Sequence, residues 1–110
     1  MNLETSLQNE ISVALSELGS IPYRMQVGLF YTRNAVPIHI GIPGTPDLLI
    51  IIPDGKVLWY EIKTEIGRLS KDQSNFADML RSMNHKVFII RSVSDAVNIY
   101  KQEVPNYATI

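Results

Sequence analysis

Cysteine is absent from this chain of 110 residues, and its absence removes several chemistries. No disulfide, thiolate zinc site or cysteine nucleophile can form. A cysteine-free chain is compatible with a reducing compartment. The first residues also lack the basic segment and apolar run of a secretory signal. We therefore expect a cytoplasmic protein, or one of the host cytoplasm if the chain is viral.

Long apolar runs and a surplus of positive charge are missing as well. The longest apolar run, from Leu48 to Pro53, is far too short to span a membrane, so no membrane contact is expected. The formal net charge is −1, whereas simple electrostatic binders of nucleic acid are usually basic. If Glu10, Asp47 and Glu61 hold cations, setting aside their three negative charges leaves the rest of the chain at +2. Basic residues close to the site could then bind the phosphates of a nucleic acid even though the protein as a whole is not positively charged.

What remains is an ordinary globular composition. Hydrophobic residues make up 45% of the chain and charged residues 19%, which excludes a disordered protein. The length fits one domain with a modest core. The sequence contains no internal repeat, low-complexity tract or linker. We therefore predict a single domain over residues 1–110, in which residues 101–110 form a tail or an oligomer contact.

The order of the predicted elements indicates an α/β fold. Hydrophobic spacing predicts helices from about Thr5 to Leu18, from Ser70 to about Met83 and from Asp95 to Tyr100. Strands are predicted from Arg24 to Thr32, Pro37 to Ile40, Asp47 to Ile52, Lys56 to Lys63 and Lys86 to Arg91. A strand, helix and strand in succession predict parallel pairing of the last two strands. The expected architecture is a central mixed β-sheet flanked by α-helices.

The turn Pro53-Asp54-Gly55 determines the predicted register of the central hairpin. Proline suits the first position of a three-residue turn, and glycine suits the left-handed third position, which forms a bulge. This turn places Asp47 opposite Glu61. Because side chains alternate between the two faces of a strand, Lys63 shares the face of this carboxylate pair. A register shift of one residue would separate the three side chains.

These three residues supply the parts of a phosphodiester-hydrolysing centre. Two carboxylates that face each other across adjacent strands repel, and a divalent cation between them removes the repulsion. Oxygen ligands favour Mg²⁺ or Mn²⁺ over zinc. A cation such as Lys63 can offset the negative charge that develops when a phosphate is attacked. The alternative for Lys63 is a structural salt bridge to Asp47 or Glu61.

Two polar residues fall where the predicted helices should turn towards the core. Glu10 lies between Leu7 and Ala14 on the stripe of the first helix, and Gln73 lies three residues before Phe76 on that of the second. A buried unpaired carboxylate is costly, so both residues fit best beside the metal centre. Each has an ordinary alternative. Glu10 could be a solvated helix residue, and Gln73 could complete a capping box.

The same residues form an ordered set that resembles a known family. Pro46-Asp47 followed by Glu61-Ile62-Lys63 is similar to the signature of PD-(D/E)xK nucleases. The fuller set resembles the VRR-NUC branch of that superfamily and consists of Gly41–Asp47, Glu61–Thr64 and Gly67–Gln73. The resemblance spans roughly Glu10 to Ser94. It implies a restriction-endonuclease-like fold.

The resemblance also implies roles for individual residues. Asp47, Glu61 and the backbone carbonyl of Ile62 match the family's metal ligands. Glu10 matches the glutamate of the leading helix and is counted with both the ligands and the catalytic residues. The catalytic lysine and the helical glutamine of the family correspond to Lys63 and Gln73.

Contacts to DNA are predicted at the start of the second helix. Arg68, Ser70 and Lys71 lie there, and a helix N-terminus with nearby cations suits a phosphate. They could equally be solvated polar residues. Trp59 shares the catalytic face by parity, but core packing is favoured over stacking on a base. The methionines of the second helix, Met79 and Met83, are predicted to lie in the core.

The leading hypothesis is a Mg²⁺- or Mn²⁺-dependent DNA endonuclease that selects branched DNA. Compact stand-alone members of the family resemble Holliday-junction resolvases and act as dimers. This implies DNA, branched or duplex, as substrate and a homodimer or higher homo-oligomer as the assembly. The alternatives are a catalytically silent nucleic-acid-binding module of the same fold and a metal-binding structural domain. The complete acid, acid and lysine set argues against the silent module, and a surface without basic residues near the site would favour the structural domain.

Overall fold

The computed structural model describes residues 2–105 of the chain. The helices are α1 (Leu3–Glu17), α2 (Lys71–Ser82) and α3 (Val93–Glu103). The strands are β1 (Ile21–Arg24), β2 (Gly28–Tyr31), β3 (Pro37–Ile40), β4 (Leu48–Ile52), β5 (Lys56–Ile62) and β6 (Val87–Ile90). Of the predicted tail, residues 101–103 complete α3 and Val104 is buried, while residues 106–110 lie outside the described range.

A four-stranded sheet in the order β1-β4-β5-β6 carries the fold. β4 pairs antiparallel with both of its neighbours, and β5 pairs parallel with β6. The helix α2 connects the parallel pair, as the succession of strand, helix and strand predicts. β2 and β3 form a separate antiparallel sheet. The predicted α/β fold with a mixed central sheet is therefore confirmed.

Most of the core lies between one face of the sheet and the helices α1 and α3. Its buried members are Ile11, Leu15, Leu48, Ile50, Ile52, Leu58, Tyr60, Ile62, Ile90, Ala96, Tyr100 and Val104. The buried hydroxyl of Tyr60 donates to the carbonyl oxygen of Ala96 at 2.8 Å, so its polar end is satisfied. The opposite face packs on α2 through a smaller cluster that consists of Trp59, Phe76, Ala77, Leu80 and Val87.

The orientation of α1 differs from the predicted one. The side chains buried along this helix are Gln8, Ile11 and Leu15. Leu7 and Ala14 lie at the edge of that line and are only half-buried, so Glu10 is exposed to solvent. The prediction that Glu10 lies on the inner stripe is wrong.

The chain between α1 and β4 is not a single long strand followed by a short one. Residues 25–27 interrupt the predicted strand and separate β1, which joins the main sheet, from β2, which does not. The prediction of an extended piece at Pro37–Ile40 is confirmed as β3. We call residues 28–40 the β2–β3 arm. All of its residues from 29 onward are exposed.

The helix α2 begins where the sequence predicts. Ser70 is its N-cap, and the side chain accepts a hydrogen bond from the backbone N–H of Gln73. Met79 and Met83 are 47% and 57% exposed, so their assignment to the core is wrong. A short helix that lies on a sheet buries one narrow face, and here Ala77 and Leu80 occupy it.

No helix within residues 2–105 combines the length and the apolar character needed to cross a lipid bilayer.

Candidate active site

The β4–β5 hairpin has the predicted register. Ile52 faces Lys56, and the pairing continues without a slip to the first residue of β4. The next pair outward is Asp47 and Glu61. The two carboxylates are thus brought together by strand alternation and by the length of the turn.

The turn itself differs in one detail from the expected form. Asp54 has a φ of 69° and Gly55 a φ of 70°, whereas only the glycine was expected to adopt the left-handed region. Aspartate is one of the few residues that tolerate this region, so the turn closes without changing the register.

Asp47 is held by β5 on one side and by the residue that follows β1 on the other. Its carboxylate oxygen Oδ2 accepts a hydrogen bond from the backbone N–H of Ile62 at 2.7 Å. Its own carbonyl oxygen accepts one from the N–H of Met25 at 2.9 Å. Burial raises the pKa of Asp47, although the bond from Ile62 acts in the opposite direction. The side chain is therefore fixed in place, with Oδ1 left outside this bond.

Glu61 is the most unusual side chain of the site because it is a carboxylate that is only 2% exposed. Its Oε1 accepts a hydrogen bond from Nε2 of Gln73 at 2.6 Å. Its Oε2 is buried and has no hydrogen-bond partner among residues 2–105. Burial, and after it the charge of Asp47, raise the pKa of Glu61 to about 8. A buried carboxylate oxygen of this kind is suited to bind a cation.

Gln73 serves the helix and the site at once. The side-chain Oε1 of Gln73 accepts a hydrogen bond from the backbone N–H of Ser70 at 2.9 Å. The backbone N–H of Gln73 donates to Oγ of Ser70 at 3.2 Å. The amide group at the other end of the side chain donates to Glu61. The two alternatives for Gln73 are therefore compatible, because a carboxamide has an acceptor and a donor end.

Lys63 extends the sheet beyond β5, since its backbone N–H donates to the carbonyl of Ile90 at 2.9 Å. The side chain is half-buried. Its positive charge lowers the pKa of both Asp47 and Glu61, which places it close to the pair. Lys63 forms no salt bridge with any residue of the described range. Its ammonium group is thus not committed to a structural ion pair there.

Two charged residues that sequence reasoning missed act on the carboxylates. The charge of Glu4 raises the pKa of both Asp47 and Glu61, and that of Arg24 lowers the pKa of Asp47. The sequence could have indicated Glu4, because this residue lies four positions before Gln8, which is buried on the inner side of α1.

Glu10, in contrast, is not brought to the site. It lies on the outer side of α1 beside Val13 and Glu17. Its charge is not among those that shift the pKa of Asp47 or Glu61. The leading helix does contribute a glutamate to the electrostatics of the site, but that glutamate stands six positions earlier in the chain.

The predicted DNA contacts cluster on the surface next to the site. Arg68, Ser70 and Lys71 are exposed, and the hydroxyl of Ser70 is engaged in the cap of α2. Positive charge from Arg68 and Lys71 is therefore present there, alongside the exposed acidic residues Glu65 and Asp72. Trp59 packs in the α2 cluster and donates from Nε1 to Nδ1 of His85 at 3.1 Å, which is the core role that the sequence favours.

A cation at this site would depend on few ligands. Within residues 2–105, no three side chains from His, Cys, Asp and Glu are grouped as a ready-made metal site. Asp47 and Glu61 are the two side chains that could hold one, and their oxygens suit Mg²⁺ or Mn²⁺. Further ligands would have to come from backbone carbonyls, water or substrate.

Comparison with known proteins identifies the family. The family model of the VRR-NUC domain, a nuclease-type domain, matches residues 32–94, which is more than half of the chain. The chain belongs to the VRR-NUC domain family. The matched range includes Asp47, Glu61, Lys63 and Gln73 and leaves out α1.

A solved structure described as a VRR-NUC domain is similar to this one with a TM-score of 0.67 and 21% sequence identity. The similarity covers 89% of this chain and 94% of that chain. It shows that the restriction-endonuclease-like fold is shared over nearly the whole length of both chains. No curated protein sequence matches the chain.

Proposed function

We propose that the protein is a metal-dependent endonuclease that hydrolyses phosphodiester bonds in DNA, with Mg²⁺ or Mn²⁺ bound between Asp47 and Glu61. The observation that carries the proposal is the buried Oε2 of Glu61, which has no hydrogen-bond partner among residues 2–105. A second carboxylate lies beside it in the register of the hairpin. A divalent cation would satisfy that oxygen and would offset the burial and, after it, the charge of Asp47, which together raise the pKa of Glu61.

The protein orients each carboxylate through one oxygen and leaves the other available. Ile62 holds Oδ2 of Asp47, and Gln73 holds Oε1 of Glu61. Outer partners of this kind fix the direction of ligand oxygens in metal sites. We assign Oδ1 of Asp47, Oε2 of Glu61 and the carbonyl oxygen of Ile62 as the ligands. Glu10 is left out of this set because it is exposed on the far side of α1.

Lys63 would act on the phosphate. Its charge is close enough to affect both carboxylates, and the side chain forms no salt bridge within the described range. Such a group can stabilise the charge that develops on the phosphate oxygens. When bound, the cation would supply Lewis acidity and an activated water. Gln73 would keep Glu61 aligned while it caps α2.

Selection of branched DNA and assembly into a homodimer are parts of the same proposal. One small domain offers little surface to a branched duplex, whereas a two-fold dimer presents two sites to two strands. The β2–β3 arm supports this assembly. Phe30 and Ile38 face each other across its strands and are 42% and 43% exposed. An exposed apolar pair of this kind could pack against a second copy of the chain. Sedimentation of the protein at micromolar concentration should give the mass of a dimer.

The direct test is cleavage of labelled Holliday junctions, forks and linear duplexes. We expect cleavage with Mg²⁺ or Mn²⁺, none with excess chelator, and binding without turnover in Ca²⁺, whose looser coordination positions water less well. Full activity in excess chelator would exclude a metal mechanism. Binding without cleavage in every metal would indicate the silent nucleic-acid-binding module.

A pair of matched variants separates the site from the rest of the acidic surface. Glu61→Gln should lose cleavage and metal binding. Glu10→Gln makes the same chemical change on an exposed residue and should cleave as the wild type does. Loss of cleavage in Glu10→Gln would restore the role that the sequence predicts for this residue.

A further inference from the structure

The segment between Lys63 and α2 carries an isoleucine that folding does not require. Ile66 is 89% exposed, more than any other large apolar side chain within residues 2–105. It lies in a four-residue turn, which is closed by a hydrogen bond from the N–H of Gly67 to the carbonyl of Thr64 at 3.1 Å. The turn begins one residue after Lys63, so the exposed Ile66 lies three residues along the chain from the candidate catalytic lysine.

Arg91 braces this turn. Its Nη1 lies 2.7 Å from the carbonyl oxygens of both Thr64 and Gly67 and 3.3 Å from that of Glu65. Nη1 carries two hydrogens, so it donates to the carbonyls of Thr64 and Gly67 and makes a longer, shared contact with that of Glu65. Scattered exposed apolar residues need no explanation, but this one stands on a backbone that a charged side chain holds in place. Pre-organisation of that kind is typical of a residue that contacts a ligand.

The residues on both sides of the turn are basic. Lys63 precedes it, and Arg68 and Lys71 follow it in exposed positions. Glu65 is the single acidic residue between Lys63 and Lys71. Cations beside an apolar tip match the two components of DNA, because cations contact phosphates and an aliphatic side chain can press between bases.

We propose that Ile66 is a wedge that contacts a base next to the scissile phosphate and thereby makes the site prefer DNA with bases that are already unstacked. This inference rests on the proposed nuclease function. Separation of a stacked base step has a free-energy cost, which is smallest where the stack is already interrupted. A junction or fork therefore accepts the wedge more readily than an intact duplex. Arg91 acts as the positioning residue that keeps the wedge in place.

The binding step can be observed without cleavage. The probe is a fork with 2-aminopurine at the branch, mixed with protein in Ca²⁺, because the fluorescence of this base rises when it unstacks. We expect the wild type and Ile66→Leu to raise the fluorescence and Ile66→Ala to raise it far less. Ile21→Ala is the matched control. Ile21 is 58% exposed and pairs with Ile51 at the end of β4 remote from Asp47.

In cleavage assays the variants should rank in the same order as in the fluorescence assay. Ile66→Ala removes three side-chain carbons. In Mg²⁺ we expect it to lower the ratio of fork to linear-duplex cleavage about tenfold, the change that corresponds to contact of one or two of these carbons with a base. Arg91→Ala should lower both the ratio and the fluorescence change. The double variant should be no worse than the more impaired single variant, because both act through one contact. Thermal unfolding of each variant identifies any loss of fold.

The outcomes distinguish this inference from the proposed function. If the wild type cleaves no DNA with any metal, the nuclease proposal fails. If the wild type cleaves and Ile66→Ala keeps both the wild-type ratio and the fluorescence rise, the wedge is wrong while the nuclease stands. If Ile66→Ala slows fork and duplex equally and keeps the fluorescence rise, Ile66 supports turnover in general, and the wedge is again wrong.

Discussion

Alternate residues of β5 enter two different environments. Leu58, Tyr60 and Ile62 point into the large apolar core beneath α1 and α3. Trp59 and Glu61 point to the other face, where α2 covers a much smaller apolar cluster. One strand thus contributes to a stabilising face and to a face that contains a buried carboxylate.

The difference shows where this small domain can accommodate an unfavourable group. Glu61 is nearly as buried as the core residues beside it, yet one of its oxygens has no partner among residues 2–105. Such a group lowers stability unless a positive charge balances it. The apolar face is continuous and can compensate, which is the usual relation between a fold and its functional site. The following predictions test how independent the two faces are.

The largest effect is expected from Lys63→Ala on the α2 face. If Lys63 stabilises transition-state charge as proposed, its removal should slow cleavage by roughly 10²–10³ and leave the fold intact. Single-turnover cleavage and circular dichroism measure the two properties. Lys56→Ala is the matched control, because Lys56 is exposed at the opposite end of β5. Near-wild-type cleavage by folded Lys63→Ala would remove this lysine from the mechanism.

The opposite pattern is expected from Leu58→Ala on the apolar face. Leu58 is 2% exposed, and truncation of a buried leucine should lower the free energy of unfolding by about 3 kcal/mol. Denaturation by urea measures this loss. Turnover well below the melting temperature should stay near the wild-type value. A comparable loss of turnover would show that the two faces are not independent.

Gln73→Ala should affect both properties, because this side chain caps α2 and holds Glu61. We expect turnover to fall more than tenfold and stability to fall by up to about 1 kcal/mol. Ser70→Ala removes the other half of the capping box and should reproduce only the loss of stability. Single-turnover cleavage and thermal unfolding of the same samples show whether Gln73 affects turnover, stability or both. Equal turnover in the two variants would reduce Gln73 to a helix cap.

The smallest effect concerns pH in the absence of metal. Above the ordinary pKa of 4.5 the unfolded Glu61 loses its proton, whereas burial and then Asp47 raise the pKa of the folded group to about 8. The folded state therefore holds the extra proton, and stability should fall as pH rises from about 5 to 8. We expect the melting temperature to fall over this range of pH and saturating Mn²⁺ to remove the fall. Glu61→Gln should flatten the profile, and an unchanged slope in that variant would assign the effect to another group.

Sequence reasoning succeeded where the decisive interactions are local. The register of the β4–β5 hairpin depends on one short turn and on strand alternation, and both can be recognised from neighbouring residues. The start of α2 depends on a capping box of four residues. Sequence reasoning failed for Met79 and Met83, because their exposure depends on how narrow the contact between α2 and the sheet is.

The amino-acid sequence by itself determined that Asp47 and Glu61 face each other and that Lys63 follows on the same face. Only the tertiary structure decided which glutamate of α1 influences them. Rotations of an amphipathic helix by a fraction of a turn bury similar apolar areas, and packing against α3 and the sheet selects one of them. That packing turned Glu4 towards the site and Glu10 to solvent, because contacts between elements remote in the chain have no local signature.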